Sequence, residues 1–357
     1  MSRKRICMVG AGRVGRLHTG NLVRRVGDRA EVTAICDPGA AVAQELASDF
    51  GVPAVYPSLA EALREQAFDG VVITTPTFTH RDEAVLALEA GLHVHLEKPM
   101  AMNLAECRDI TAAATASGRT VQLGFMRRFD VDFVAAAAQL VGGALGRPMI
   151  IRSLTHGPGL PPAWANDIRT SNGMLAEVNS HDLDTVVWFA GSEPVDISVR
   201  TANFKGAERG ATAPHFYDTV VATITFASGA LAVVTGVCPA DYGYDSRVEV
   251  VTTNGLLQVG EPGPRGLTTV LAGTGESRQP LFRSWRDRFA EAYATEMVEL
   301  VAALDGGPVR VGSAEGTQAV ALVLAGTRSL LEGRTVALSE VSADDGVPSW
   351  QQAEAVA

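Results

Sequence analysis

At 357 residues the chain is long for a single core and fits two domains. A formal charge of −10 argues against nucleic acid or an anionic membrane as the main partner, and no stretch approaches the roughly 18 apolar residues of a membrane span. Four scattered cysteines lack metal-ligand spacing and disulfide-scaffold density, and glycines cut the apolar run of "RKRICMVGAG" too short for a secretion signal. A reduced, cytoplasmic, soluble protein is the expectation.

The first 120 or so residues alternate short apolar strands with amphipathic helices. Strands are predicted at Arg5–Val9, Glu31–Cys36, Gly70–Thr74, Leu92–Leu96 and Thr120–Leu123, with helices near 13–26, 39–49, 59–66, 79–90 and 103–117. Nearly all-apolar strands in a β-α-β-α rhythm predict a parallel sheet covered on both faces, a doubly wound domain over residues 1–124. The pattern then changes. "GRPMIIRSLTH" (146–156) reads as a strand and "NGMLAEVNSHDLDTVVWFAG" (172–191) as one helix closed by Gly191. Strands at Val195–Asn203, Thr219–Phe226, Ala230–Val237, Arg247–Thr252 and Leu256–Gln258 follow, joined by tight turns that include an Asn-Gly hairpin signal. Residues 125–340 are therefore expected to form an α+β domain with a large open, mostly antiparallel sheet, closed by helices near 285–304 and 313–332. Residues 341–357 are expected to be a loosely held tail.

Gly10-x-Gly12-x-x-Gly15 follows the first strand and opens the first helix. Gly10 permits the turn, Gly12 lets backbone approach a pyrophosphate, and Gly15 allows helix to pack on strand, while the helix N-terminus offers free N–H groups to phosphate. The whole turn (Gly10, Ala11, Gly12, Arg13, Val14, Gly15) is a candidate cofactor cradle. Asp37, 22 residues after Gly15, stands where a carboxylate would bond a ribose diol and repel a 2′-phosphate, which favours NAD. It also fits a helix cap. Thr75, Pro76 and His80 lie past another strand on the ligand-collecting rim; His80 reads equally as a cofactor contact or as a histidine of a helix's first turn. Glu97 is grouped with the cofactor residues.

Lys98 is one of only three lysines, against 27 arginines, and follows the 92–96 strand in "LEKPM". Proline holds the preceding residue out of helical conformation. Arginine would supply charge there, but only lysine can give up a proton. On the predicted 172–191 helix, Glu177, His181, Asp184 and Trp188 recur on one face of an otherwise apolar segment. Glu177 beside His181 would make an oriented imidazole base, a solvated ion pair being the alternative, and no further ligand supports a metal there.

Taken together, the glycine turn, Glu97-Lys98-Pro99, "GFMRRFD" (124–130) and a carboxylate four residues before His181 resemble the Gfo/Idh/MocA oxidoreductases over nearly the whole chain. "GFMRRFD" and "YGYD" (242–245) resemble more narrowly the inositol dehydrogenase-like members. The resemblance implies a Rossmann domain and an open-faced sheet domain, assembly as a homo-oligomer (tetramer or dimer), NAD-dependent oxidation of a ring secondary alcohol, and catalysis by Lys98, Glu177 and His181. It also implies substrate contacts from Arg127, His156 and Tyr242. Those members usually carry aspartate where this chain has Glu177, and the 155–173 segment differs from theirs. Cyclitols, sugars, anhydrosugars and amino-cyclitols all remain as substrates, with a non-catalytic NAD(H) sensor as a reading of another class.

Overall fold

The computed structural model describes residues 2–206, 213, 215–260 and 282–352, and the chain divides into two units. The first comprises residues 1–129 and 291–317, the second residues 130–290 and 318–357.

The first unit carries strands β1 (Lys4–Val9), β2 (Ala30–Cys36), β3 (Ala54–Tyr56), β4 (Gly70–Ile73), β5 (His93–Leu96) and β6 (Val121–Leu123). They pair in the order β3-β2-β1-β4-β5-β6, all parallel. Helices α1 (Arg13–Arg25), α2 (Ala40–Phe50), α3 (Leu59–Glu65), α4 (His80–Glu89) and α5 (Leu104–Ser117) form the crossovers. Apolar residues of β1, β2 and α1 and the inner face of α2 make a core with Met297, Leu300 and Val301. The doubly wound sheet is as expected, except that three-residue β3 escaped prediction because it is too short to show a period. The 1–124 boundary also needs correction. Residues 291–317 belong to this unit because their apolar positions complete its core.

The second unit begins with α6 (Val131–Val141), capped by the Asp130 carboxylate accepting from the N–H of Asp132 and Phe133. No helix was expected there from the sequence. Its strands are β7 (Pro148–His156), β8 (Pro194–Ala202), β9 (Thr219–Phe226), β10 (Leu231–Val237), β11 (Asp245–Thr252) and β12 (Leu256–Val259), and β13 (Val336–Ala337) pairs at the edge. The order is β12-β11-β7-β10-β9-β8-β13, antiparallel except where β7 runs parallel to β10. Strict alternation of buried and more exposed residues gives the sheet two unlike faces. Ile197, Val199, Val220, Ala222, Val234 and Val250 are buried on one; Leu154, Val221, Leu231, Val233 and Val251 lie on the other, partly or fully exposed.

The predicted 172–191 helix is two helices. Asn172 is left-handed between α7 (Ile168–Ser171) and α8 (Gly173–Glu177), and Val178–Asn179 separates α8 from α9 (Ser180–Ala190). The apolar period runs on across the break, but the Asn179 amide donates to Asp182 Oδ2 (2.9 Å) and to the Thr235 carbonyl (3.3 Å), which ties the junction to β10. Helices α10 (Trp285–Arg288), α11 (Ala290–Ala303) and α12 (Ser313–Glu332) follow. The tail is held as far as the description reaches. Trp350 Nε1 and Gln351 Nε2 donate to Asn172 Oδ1 at 3.1 and 2.7 Å, so the expectation of a loose tail is corrected for residues 341–352; 353–357 lie outside the described residues.

Candidate functional site: a dinucleotide cradle and a histidine-tyrosine-carboxylate cluster

In the first unit the glycine turn has the shape its spacing predicts. Gly10 sits at φ +97°, where a β-carbon would meet the Thr74 side chain and carbonyl within 3.0 Å. A β-carbon on Gly15 would lie 1.9 Å from the Gly10 carbonyl oxygen, so α1 touches the turn with no room to spare. Gly12 is the N-cap of α1, exposed, with nothing within 4 Å of such a carbon. That open backbone, ahead of the free N–H groups of Arg13 and Val14, fits a pyrophosphate. Ala11 is buried beneath it.

Asp37 follows β2. Its carboxylate accepts from the N–H of Ala11 (2.8 Å) and of Gly39 (2.7 Å), so it braces the glycine turn and the start of α2 at once. Each oxygen keeps acceptor capacity that a ribose diol would use.

Past β4, Thr74 Oγ1 donates toward the carbonyls of Val9 and Gly10, which joins two strand ends that neighbour each other in the sheet. Thr75 Oγ1 donates to Glu83 Oε2 at 2.5 Å, and burial raises the Glu83 carboxyl above its usual range. Pro76, half-buried, caps the short 3₁₀ turn Thr77–Thr79. His80 is buried, with Nδ1 2.8 Å from the Pro99 carbonyl and Nε2 3.0 Å from that of Thr75. Burial lowers its proton affinity, against the two carbonyls, which act to raise it. His80 therefore ties the 74–80 turn to the turn after β5.

Lys98 lies just beyond β5, half-buried, and its peptide bond to Pro99 is cis. Its N–H donates to Glu97 Oε2 at 3.1 Å. Glu97 itself turns inward. Its Oε1 is 3.0 Å from His18 Nε2, and a β-carbon on Gly124 would strike its carboxyl group at 2.9 Å. Burial acts to raise Glu97, but the His18 hydrogen bond and the charges around it hold the carboxyl below its usual range. The carboxylate braces the Lys98 backbone from beneath. Arg127, in the turn Met126–Phe129, is almost fully buried.

The second unit brings other residues together. His156 ends β7 and faces Asp245 of β11 in register. His156 Nδ1 is hydrogen-bonded to the Tyr242 hydroxyl, which also lies 3.3 Å from Asp245 Oδ2, and Arg247 clamps Asp245 through both oxygens at 2.8 and 2.9 Å. Burial lowers the proton affinity of His156 and raises that of the Tyr242 phenol, so both are neutral near pH 7.

His181 is buried in the first turn of α9, and its carbonyl accepts from Thr185 Oγ1. The break at Val178–Asn179 puts Glu177 at the end of α8, so the single-helix i,i+4 argument for Glu177 and His181 fails. His181, Asp184 and Trp188 remain on one face of α9. Asp184 is buried with Asp182, which excludes a solvated stripe there. Asp182 went unnoticed in the sequence, yet it accepts from Ser153 Oγ at 2.6 Å and from Asn179, fixing the start of α9 to β7. A buried run "NSHD" at a helix start was the available signal. Asp245, Arg247, His18 and Glu296 were missed for want of any sequence period.

A parallel sheet ordered 3-2-1-4-5-6, with a glycine turn, a bracing aspartate and Lys98 on its carboxyl rim, defines a dinucleotide-dependent oxidoreductase. Residues 4–125 match the oxidoreductase family model with an NAD-binding Rossmann fold, and residues 133–258 match the GFO/IDH/MocA C-terminal domain. The chain belongs to the Gfo/Idh/MocA oxidoreductases, and its cofactor is NAD. It is similar to an inositol 2-dehydrogenase of Rhizobium meliloti, 30% identical over 94% of this chain and 99% of that one. It is likewise similar to the scyllo-inositol 2-dehydrogenase (NAD(+)) of Bacillus subtilis, 30% identical over 96% of this chain and 98% of the relative. A crystal structure of a probable dehydrogenase from Thermotoga maritima superposes with TM-score 0.82 at 29% identity, covering 95% of this chain and all of the other.

Proposed function

We propose that the protein oxidises a ring secondary alcohol of an inositol-like cyclitol to a ketone, with NAD as hydride acceptor. The observation that carries this reading is Lys98, the one lysine between residues 4 and 205, braced on the rim of β5 in a sheet where β1, β4 and β5 are neighbours. The near full-length similarity to inositol dehydrogenases supports the substrate class.

NAD, when bound, supplies the hydride acceptor. The backbone N–H groups after Gly12 hold its phosphates, and Asp37 accepts from the ribose diol while keeping the glycine turn in place. Lys98 donates a hydrogen bond to the substrate oxygen as negative charge develops on it. His181 takes the hydroxyl proton, with Glu177 as its carboxylate partner. His156 and Tyr242, both neutral, offer a donor and an acceptor to neighbouring ring hydroxyls, and Arg127 is assigned to substrate as well.

The test is NADH formation, followed by absorbance, with a panel of inositols, inosamines, pyranoses and anhydrosugars. Turnover of an inositol with NAD, and much less with NADP, is the expected result. Turnover confined to a sugar would move the substrate and leave the reaction class. Tight NADH binding with no turnover of any polyol would overturn the catalytic reading.

The protein is further proposed to act in the cytoplasm as a homo-oligomer built on the open face of the second unit's sheet. Leu154, Val221, Leu231, Val233 and Val251 give that face an apolar stripe that a second copy would cover. No helix among the described residues is long and apolar enough to cross a membrane. Light scattering coupled to size exclusion is expected to give a dimer or tetramer, and Val221→Asp to shift it toward the monomer.

A further inference from the structure

Beneath Lys98 lies a polar cluster that the proposed reaction does not use. His18 of α1, His95 and Glu97 at the end of β5, and Glu296 of α11 are all buried, with one ligand-type atom from each within 4.8 Å of the others. His18 Nε2 is 3.0 Å from Glu97 Oε1 and 3.9 Å from Glu296 Oε2. Gln122 Nε2 donates to His95 Nδ1 (3.1 Å) and to the Glu296 carbonyl (2.9 Å). His95 is thereby left with its proton on Nε2. Tyr293 stacks edge-on against His18.

The accounting leaves one carboxyl group unexplained. Neither side-chain oxygen of Glu296 has a hydrogen-bond partner among the described residues, although the side chain is wholly buried. Two ionised carboxylates this close and this deeply buried would carry a heavy desolvation and repulsion cost. Glu97 has the better claim to the charge, since it accepts from His18 and from the Lys98 N–H.

We propose that Glu97 and Glu296 share a single buried proton, carried by Glu296, and that this one-proton state holds Glu97 as the anion that positions the Lys98 turn. His18 and Glu296 are then positioning residues acting through Glu97. The connection to turnover rests on the reading of Lys98 as the group that meets the substrate oxygen. The groups facing Glu296 are His18 from α1, His95 and Glu97 from β5, and Glu299 and Tyr293 from its own helix. Burial first, then the charge of Glu97, raises the Glu296 carboxyl well above its usual range, while burial and His18 keep His95 neutral by lowering it to about 3. Loss of the shared proton at alkaline pH would set two buried anions against each other under Lys98.

The sign follows from linkage. An acid whose proton is held more tightly in the folded state makes stability fall as pH rises from the unfolded carboxyl range, about 4.3, toward the folded value. Glu296→Gln fixes the neutral form and has no such slope. Thermal unfolding of the full chain should show the variant gaining on wild type by several degrees between about pH 5 and about pH 9. Infrared difference spectra should lose the carbonyl band of one protonated carboxyl group. The ratio of kcat/KM at about pH 9 to that at about pH 7 should rise severalfold in the variant. A variant less stable by the same margin at every pH, with no band lost, would overturn the shared proton and leave a packing role. So would a stoichiometric divalent metal retained by the purified protein, since its ligands would be ionised. If the infrared and stability results hold while the activity ratio is unmoved, the link to Lys98 is overturned and the proton pair stands.

Discussion

Lys98→Met is expected to lower kcat by on the order of 10²–10⁴-fold, the usual worth of a positioned proton-transfer group. Methionine matches the length and apolar stem of lysine, so the turn beneath it, held by the Lys98 N–H bond to Glu97 and by His80 on the Pro99 carbonyl, should survive. NADH affinity measured by fluorescence titration should therefore change little, while single-turnover hydride transfer collapses. Lys98→Arg separates charge from proton transfer, because a guanidinium keeps the charge and cannot deprotonate. Arginine restoring most of the rate would show that only a fixed positive charge is needed. Equal loss in both variants would support a transferable proton. Full activity in Lys98→Met would remove Lys98 from the chemistry.

Gly15→Ala should damage both stability and cofactor binding. Its β-carbon would sit 1.9 Å from the Gly10 carbonyl oxygen, and neither atom is the far end of a flexible side chain. Either α1 or the turn must move. Overpacking of this kind costs about 1–3 kcal/mol, so the melting temperature should drop by several degrees. NADH affinity should fall by at least about tenfold as the α1 N–H groups leave the phosphate position. Gly12→Ala is the control, because its β-carbon meets nothing within 4 Å. That variant should keep the wild-type melting temperature and lose affinity, as the methyl group occupies the approach of the pyrophosphate. If Gly12→Ala binds NADH normally, the pyrophosphate does not pass over this turn.

Much of this was legible in the sequence because local rules wrote it there. Strand-turn-helix glycines can serve one purpose in that order, and Gly10 and Gly15 meet backbone where the spacing says they must. Apolar runs of four to seven residues predicted the parallel strands, and alternating ones predicted the antiparallel sheet. The position of Asp37 just past β2 and of Lys98 just past β5 was legible too.

Only the tertiary structure decided the rest. An apolar helical period ran unbroken through residues 172–191, yet Asn179 found better partners in Asp182 and Thr235, and Glu177 was thereby separated from the helix of His181. His80 and Glu97 lay on the right rim by sequence, but their polar atoms face carbonyls and buried histidines, because buried polar groups must find protein partners. Glu296 lies 199 residues after Glu97 in sequence, and nothing in either neighbourhood announces the other. Periodicity reports which face of an element is covered. Which buried proton is shared, and by whom, is settled when distant segments close the same core and their polar groups must satisfy one another.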